Sequence, residues 1–400
     1  MNILFLQGPL GPFFNLLAAH FSSMGHDCHK INFNGGDKLY SGADHIVDYS
    51  GTCADWPEFL RDYIERYKID SIAVYGDCRL YHKAAHQVSL ELGLNFWAFE
   101  EGYLRSGFVT LELGGCNANS LLFNNIEALP QIDCQDTKNI QGVKSVGSTF
   151  GLRAWFAGRY YFAMSLSANQ FASYAHHRPW TTIEEAVFWI KSLAQKWWSK
   201  LMDPPRYRRF IRRYDGQFFL LPLQVEVDFQ LRDHSRFESV EQVIIEVLGS
   251  FSAHASSDQA LLIKHHPQNR GFVHYGDLID KLVSELGLEG RVLYGHDFNL
   301  PDVYRHVKGV VTVNSTVGLS ALLHHLPTVV LGKSIYDIHG LTYEHGLDRF
   351  WRDNYSVDQD LFARFRTYLC LQTQVPGDFY KNSAPLVASA YQKITAQGKQ

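Results

Sequence analysis

SIAVYGDCRLYHKAAHQVSLELGLNFWAF, residues 71–99, is the stretch that decides the fold. SIAVY is an apolar run without polar alternation, as expected for a strand covered on both faces. A glycine ends it, KAAHQVSLELG follows at helical length, and LNFWAF returns as a second apolar run. Strand, helix and strand at this spacing make a βαβ unit, whose crossover forces the two strands parallel. Working outward, ILFL at 3–6, FFNLLAAHFSSMG and CHKINF at 28–33 repeat the alternation. Residues 1–150 are therefore expected to form an N-terminal Rossmann-like domain. The pattern resumes with GQFFLLPL at 216–223, VEQVIIEVLGSF, ALLIKHHP at 260–267, RVLYG, GVVTV at 309–313 and TVVLG at 328–332. That predicts a second Rossmann-like domain over 216–400. The expected class is α/β of the GT-B type, two such domains facing a central cleft, where the carboxyl ends of open α/β sheets bind ligands.

Composition narrows the function. The 400 residues carry a net charge of −4, so there is no global basic field of the kind nucleic-acid binding requires, and no nucleic-acid partner is expected. The six cysteines are scattered without a C-x-x-C pair, which points to reduced thiols in a cytosol. The opening MNILFLQGPLGPFF lacks the basic region of a signal peptide, and no apolar run is long enough to span a bilayer. The connecting segment 151–215 differs from its surroundings. From Lys191 to Arg213 it holds eight Lys/Arg against one acid, Asp203, interleaved with Trp197, Trp198, Tyr207 and Phe210. Two readings stand: a solvated helix face beside core aromatics, or helices facing a membrane of anionic lipid.

Candidate chemistry clusters at strand ends. QGPLGPFF at 7–14 places Gly8 in a loop leading to a helix start, where a ligand or a plain turn fits equally. YGDCR at 75–79 puts Asp77 at a similar spot, with helix capping an equal account. FEEGYLR at 99–105 brings Glu100, Glu101, Gly102 and Arg105 together. Adjacent strand side chains point apart, so one carboxylate faces the ligand as a general acid/base unless the pair only caps a turn against Arg105. In LPLQVEVDFQ at 221–230, Asp228 follows Gln224 by four residues and reads as a nucleophile, a base or a surface cap. LLIKHHP at 261–267 delivers Lys264, His265 and His266 to a strand end, and a phosphate is the natural counter-charge. TVNSTVGLSALLHH at 312–325 sets Asn314, Ser315 and Thr316 at a helix start with Gly318 behind them, a pattern that caps a helix and seats a phosphate at once. Together these suggest a nucleotide-sugar transferase whose donor lies in the second domain, its leaving phosphate stabilised by Lys, His and helix N–H groups. No metal or cofactor is expected.

QGP, HKINFNGGD at 29–37, YGDCRLYH at 75–82, FEEGYLR, PLQVEVD, KHHP and NSTVGLSAL together resemble the capsule polysaccharide synthesis proteins of the KpsS/LipB type, along nearly the whole chain. The resemblance implies a retaining β-Kdo transferase that moves Kdo (3-deoxy-D-manno-oct-2-ulosonic acid) from CMP-Kdo to a phosphatidylglycerol-type lipid. It implies a cytoplasmic protein, peripheral on the inner face of the bacterial inner membrane, with other capsule synthesis and export proteins as possible partners. It makes 1–150 the acceptor side and 216–400 the CMP-sugar side. Where related Kdo transferases carry E-D-G, this chain has Glu100-Glu101-Gly102; their Q-x-x-x-D falls on Gln224 to Asp228, and their H-P on His266-Pro267. By that similarity Asp228 is the nucleophile, Glu101 the acid/base, and His266, Ser315 and Thr316 contact the CMP phosphate. Glu in place of Asp at 101 leaves Glu100 open for the same role. An inverting, sialyltransferase-like CMP-sugar transferase and a non-catalytic assembly scaffold are the alternatives.

Overall fold

The computed structural model describes residues 1–104, 107–122, 129, 147–175, 182–226, 231 and 234–397. They form two compact units, Met1–Pro179 with Arg364–Gln400, and Trp180–Ala363.

The first unit is built on strands β1 (Asn2–Phe5), β2 (Asp27–Asn32), β3 (His45–Asp48), β4 (Ser71–Tyr75), β5 (Asn95–Glu101), β6 (Phe108–Leu113) and β12 (Gln374–Pro376), in the order β12-β6-β5-β4-β1-β2-β3. From β3 to β5 the strands are parallel, while β6 and β12 run antiparallel to their neighbours. The order 3-2-1-4-5 is the Rossmann arrangement, with its switch point between β1 and β4. Helices α1 (Phe13–Ser23), α2 (Trp56–Tyr67) and α3 (Leu80–Leu92) make the crossovers, and α4 (Phe150–Leu166) follows them. Burial on both faces is visible along β1 itself. Ile3 and Phe5 join a core with Phe13, Phe21, Trp97 and Phe99, whereas Leu4 and Leu6 join another with Ile31, Trp56, Ile72 and Phe96. The deciding βαβ segment folds as read, its helix stopped at Gly93 in a left-handed conformation, φ 67°, that glycine adopts without strain.

The second unit repeats the plan. Strands β7 (Phe218–Pro222), β8 (Ala260–Lys264), β9 (Val292–Gly295), β10 (Val307–Thr312) and β11 (Thr328–Val330) run in the order β11-β10-β7-β8-β9, all parallel. Counted from β7, this is again 3-2-1-4-5, with the switch point between β7 and β10. The long helix α5 (Thr182–Tyr214) precedes the sheet; α6 (Val240–His254), α7 (Gly276–Glu285), α8 (Leu300–Val303), α9 (Thr316–Leu323) and α10 (Leu347–Phe350) follow in sequence. Phe219, Leu221 and Ile263 face one core, and Phe218, Leu220 and Leu262 the other.

The units divide differently from the expected boundaries. The segment 151–215 is split, α4 lying in the first unit and α5 in the second, and residues 364–400 belong to the first unit, not the second. The reason is pairing and burial. After α11 (Gln359–Thr373), β12 adds to the sheet beside β6, and α12 (Ser383–Gln397) drives Leu386, Ala390 and Ile394 into the core around Phe5 and Phe13. Ile394→Ala should therefore destabilise the first unit by roughly 2–5 kcal/mol. Denaturant unfolding followed by hydrogen exchange in β1 and β6 will read it, and protection loss confined to the second unit would contradict this assignment.

Candidate functional site

In the second unit the carboxyl ends of β7, β8 and β10 converge at the switch point. Gln224, just past β7, donates from Nε2 to Asn314 Oδ1 at 2.7 Å, and its Oε1 accepts from the Asn314 backbone N–H at 3.3 Å. The paired strands β7 and β10 are thus latched where they open. Asn269 extends the latch to β8, donating to the Gln224 carbonyl at 3.1 Å and accepting from the Glu226 N–H at 3.2 Å.

The helix start beyond β10 is made as the sequence indicates. Ser315 caps α9, its Oγ accepting from the Val317 N–H at 3.2 Å, and Thr316 begins the helix. Gly318 has a different reason from the one expected. A Cβ there would lie 2.3 Å from the Tyr336 hydroxyl, which donates to the Ser315 carbonyl, so the close approach it permits is that of Tyr336.

The KHH triplet separates into three environments. Lys264 is buried, and burial, aided by the nearby Arg270, pulls its pKa down to about 8. Among the described residues its Nζ makes no hydrogen bond or ion pair. His265 is sealed, with Nδ1 2.8 Å from the Tyr294 hydroxyl and its ring 4.2 Å from that of His296. Burial first, then the neighbouring His296, pushes its pKa down to about 3, so it is neutral at physiological pH. His265, expected at the donor, is wholly buried here. His266 points elsewhere: its Nδ1 accepts from the Gln268 N–H at 3.2 Å, at the start of a short turn opened by Pro267. An acceptor Nδ1 places the proton of the neutral ring on Nε2.

Three further residues shape this region without a sequence signal strong enough to find them. His296 is neutral for the same reason as His265, burial taking its pKa down to about 3. The buried Arg270 donates to the His296 carbonyl at 3.0 Å. Asp203, the one acid of the basic segment, is buried and accepts the backbone N–H groups of His296 and Asp297 at 2.8 and 2.9 Å. It ties α5 to the loop after β9.

In the first unit Glu101 ends β5, and its Oε1 accepts from Arg153 Nη2 of α4 at 2.7 Å. That ion-pair partner stands fifty-two positions away in sequence. Glu100 lies on the opposite strand face, close enough that a Cβ on Gly76 would sit 3.4 Å from its Oε1. Gly102 is required by packing, since a Cβ would meet the Phe108 carbonyl at 2.3 Å, and Gly8 likewise faces the Phe14 ring at 2.9 Å. Gly8 also lines a recess with Gly11, Asn15, Lys30, Asp37 and Tyr160. There Lys30 donates to Asn15 Oδ1 and the carbonyls of Asp37 and Tyr40 at 2.6–2.9 Å, and Asp37 accepts from Gln7, Tyr160 and the Phe33 N–H. Asp77 is buried and holds the Cys116 N–H at 2.9 Å, a loop-tying role. Arg105 and Asp228 lie outside the described residues. The chain does contain one D-x-D triplet, Asp358-Gln359-Asp360; it is exposed, with Asp358 accepting the Leu361 N–H at 2.9 Å at the start of α11.

Residues 70–380 match the family described as capsule polysaccharide biosynthesis protein. Over 378 residues the chain is 39% identical to the capsule polysaccharide export protein KpsS of Escherichia coli, covering 94% of this chain and 96% of that one. It is 38% identical over 386 residues to the capsule polysaccharide modification protein LipB of Neisseria meningitidis serogroup A, covering 95% and 91%. Among solved structures, the β-Kdo 2,7-transferase KpsC of Thermosulfurimonas dismutans aligns over 98% of this chain and 99% of that one, at 13% identity and a TM-score of 0.49.

Proposed function

The chain belongs to the capsule polysaccharide biosynthesis family, and from that premise we propose that it is a retaining transferase moving Kdo from CMP-Kdo to a phosphatidylglycerol-type lipid. The observation that carries the reading is Lys264. A buried ammonium with no hydrogen-bond or ion-pair partner among the described residues, at the same carboxyl edge of the sheet as a hydroxyl-capped helix start, suits a phosphate. The CMP phosphate sits there, with Lys264 and the first N–H groups of α9 offsetting the charge that develops as it leaves. His266 supplies Nε2–H as a donor.

In the first step the Asp228 carboxylate attacks the anomeric carbon of Kdo, and the bond to the CMP phosphate oxygen breaks with its electron pair leaving on CMP. In the second, Glu101 takes the proton of the acceptor hydroxyl as that oxygen displaces Asp228. Two inversions give net retention. Arg153, paired to Glu101, orients the carboxylate.

Among the described residues no helix is long and apolar enough to cross a membrane. The lipid acceptor is met at a surface instead. On α5, Trp197 and Trp198 are 73% and 64% exposed, alongside Leu193 and Leu201, with Lys196 and Lys200 on the same helix. Exposed aromatics among lysines insert at the headgroup boundary of an anionic bilayer such as the inner face of the inner membrane.

Three outcomes follow from this reading. With CMP-Kdo and a fluorescent phosphatidylglycerol analogue, the wild type releases CMP and yields a product one Kdo heavier, while Asp228→Ala and Glu101→Gln lose about 10²-fold or more in turnover; full activity in Asp228→Ala would overturn the nucleophile assignment. Titrated calorimetrically, CMP affinity falls as pH rises from 7 to 9, because Lys264 loses its proton near its lowered pKa of about 8. Lys264→Met binds more weakly at pH 7 and shows no such pH step; an unchanged pH profile in this variant would remove Lys264 from the phosphate seat. Trp197→Ser with Trp198→Ser should abolish flotation with phosphatidylglycerol vesicles while leaving CMP affinity intact, and undiminished flotation would discard α5 as the membrane contact.

A further inference from the structure

At the amino end of the first sheet, opposite the strand ends that carry the proposed chemistry, one carboxylate and two imidazoles converge. His29 and His45 are register partners on the parallel strands β2 and β3, and Asp27 stands two residues before His29 on the same face. Asp27 reaches both rings, Oδ2 lying 3.3 Å from His29 Nε2 and Oδ1 3.1 Å from His45 Nε2. All three donor atoms fall within 4.8 Å of one another. In a tetrahedral site with bonds of about 2.0–2.1 Å, neighbouring ligand atoms stand about 3.3–3.4 Å apart. Each imidazole already stands at close to that distance from one of the two Asp27 oxygens, His29 from Oδ2 and His45 from Oδ1.

The surroundings are those of an oriented ligand set. His29 is fully buried and its other nitrogen, Nδ1, lies 2.9 Å from the Tyr63 hydroxyl, which fixes the ring with Nε2 turned toward Asp27. A partner on the far nitrogen is what holds a ligating histidine in its tautomer. The His45 ring stacks on His29 with centroids 4.6 Å apart, and its exposed side leaves room for entry from solvent and for a water as fourth ligand. Tyr67 closes the flank, its ring 5.1 Å from His29.

We propose that Asp27, His29 and His45 bind a borderline divalent cation of the zinc type, which clips β3 to β2. Imidazole and carboxylate together suit this class of ion better than calcium or magnesium, which take oxygen ligands. The place gives the ion a structural task. β3 is the edge strand of the seven-stranded sheet and, among the described strands, pairs with β2 alone. An edge strand so short is prone to fray, and a cation spanning both strands restrains it. Sequence spacing gives little sign of the site, because the donors come from two strands and gather only when these pair.

The test uses the untagged full chain, stripped with chelator, in a buffer that does not bind metal. Zinc titrated into the wild type should bind at one ion per chain in calorimetry, and cobalt(II) should give the intense visible bands of a four-coordinate site. His45→Ala and Asp27→Asn, both at solvent-exposed side chains, should abolish the stoichiometric binding and the bands. Tyr63→Phe should keep the stoichiometry and weaken affinity about tenfold. Wild type and His45→Ala indistinguishable in stoichiometry and affinity would overturn the proposal, leaving Asp27 as a plain hydrogen-bonded bridge between two rings. CMP affinity, read in parallel, should be the same with and without zinc, so failure of this site and failure of the transferase reading are separable.

Discussion

A parallel sheet roofed by helices on both faces has only one place to put polar chemistry, the ends of its strands. Both units obey this constraint. β1 buries Ile3 and Phe5 to one side and Leu4 to the other, and β7 does the same with Phe219 and Phe218. Nothing along such strands can hold a charged ligand without stranding it in hydrocarbon. The candidate residues of the proposed function accordingly fall at the ends of β5, β7, β8 and β10 or in the loops after them, and the Gln224–Asn314 latch ties two of those loops together.

The two units also show what the same backbone plan does with a buried lysine. Lys30 on β2 and Lys264 on β8 occupy the second strand of their respective sheets, and burial lowers both to about 8. Lys30 is fully answered from within, by Asn15 and two backbone carbonyls. Lys264 makes no hydrogen bond or ion pair among the described residues; Arg270 acts against its charge, and Asp297 and Asp203 act for it only from a distance. The first is a structural cation that organises the loop at 33–40. The second has no such direct partner among the described residues, and this asymmetry is what favours the proposed phosphate seat in the second unit.

Much of this was legible in the chain because apolar runs and glycine stops are local signals. The βαβ segment 71–99, the KHHP strand end and the Ser315 cap all lie where their residues suggest. What escaped depends on distant pairing. β12 is three residues long and carries no periodicity, so the return of 364–400 to the first unit shows only once β6 offers it an edge. Gly8, Gly102 and Gly318 read as room for a ligand, yet each is claimed by a neighbour, respectively Phe14, the Phe108 carbonyl and Tyr336. His265 and His266 are adjacent in sequence but opposite in fate: past the end of β8 one is buried against Tyr294 and the other caps a turn. Arg153 and Asp203 were ordinary surface charges until helix packing brought them to Glu101 and the His296 backbone.

The central claim is that the carboxyl ends of β8 and β10 seat the phosphate of a cytidine nucleotide. A crystal structure of the full chain with CMP tests it most directly. The account predicts the phosphate at the start of α9, within hydrogen-bond reach of Lys264 Nζ and the N–H groups that follow Ser315. CMP bound with its phosphate away from both would contradict it.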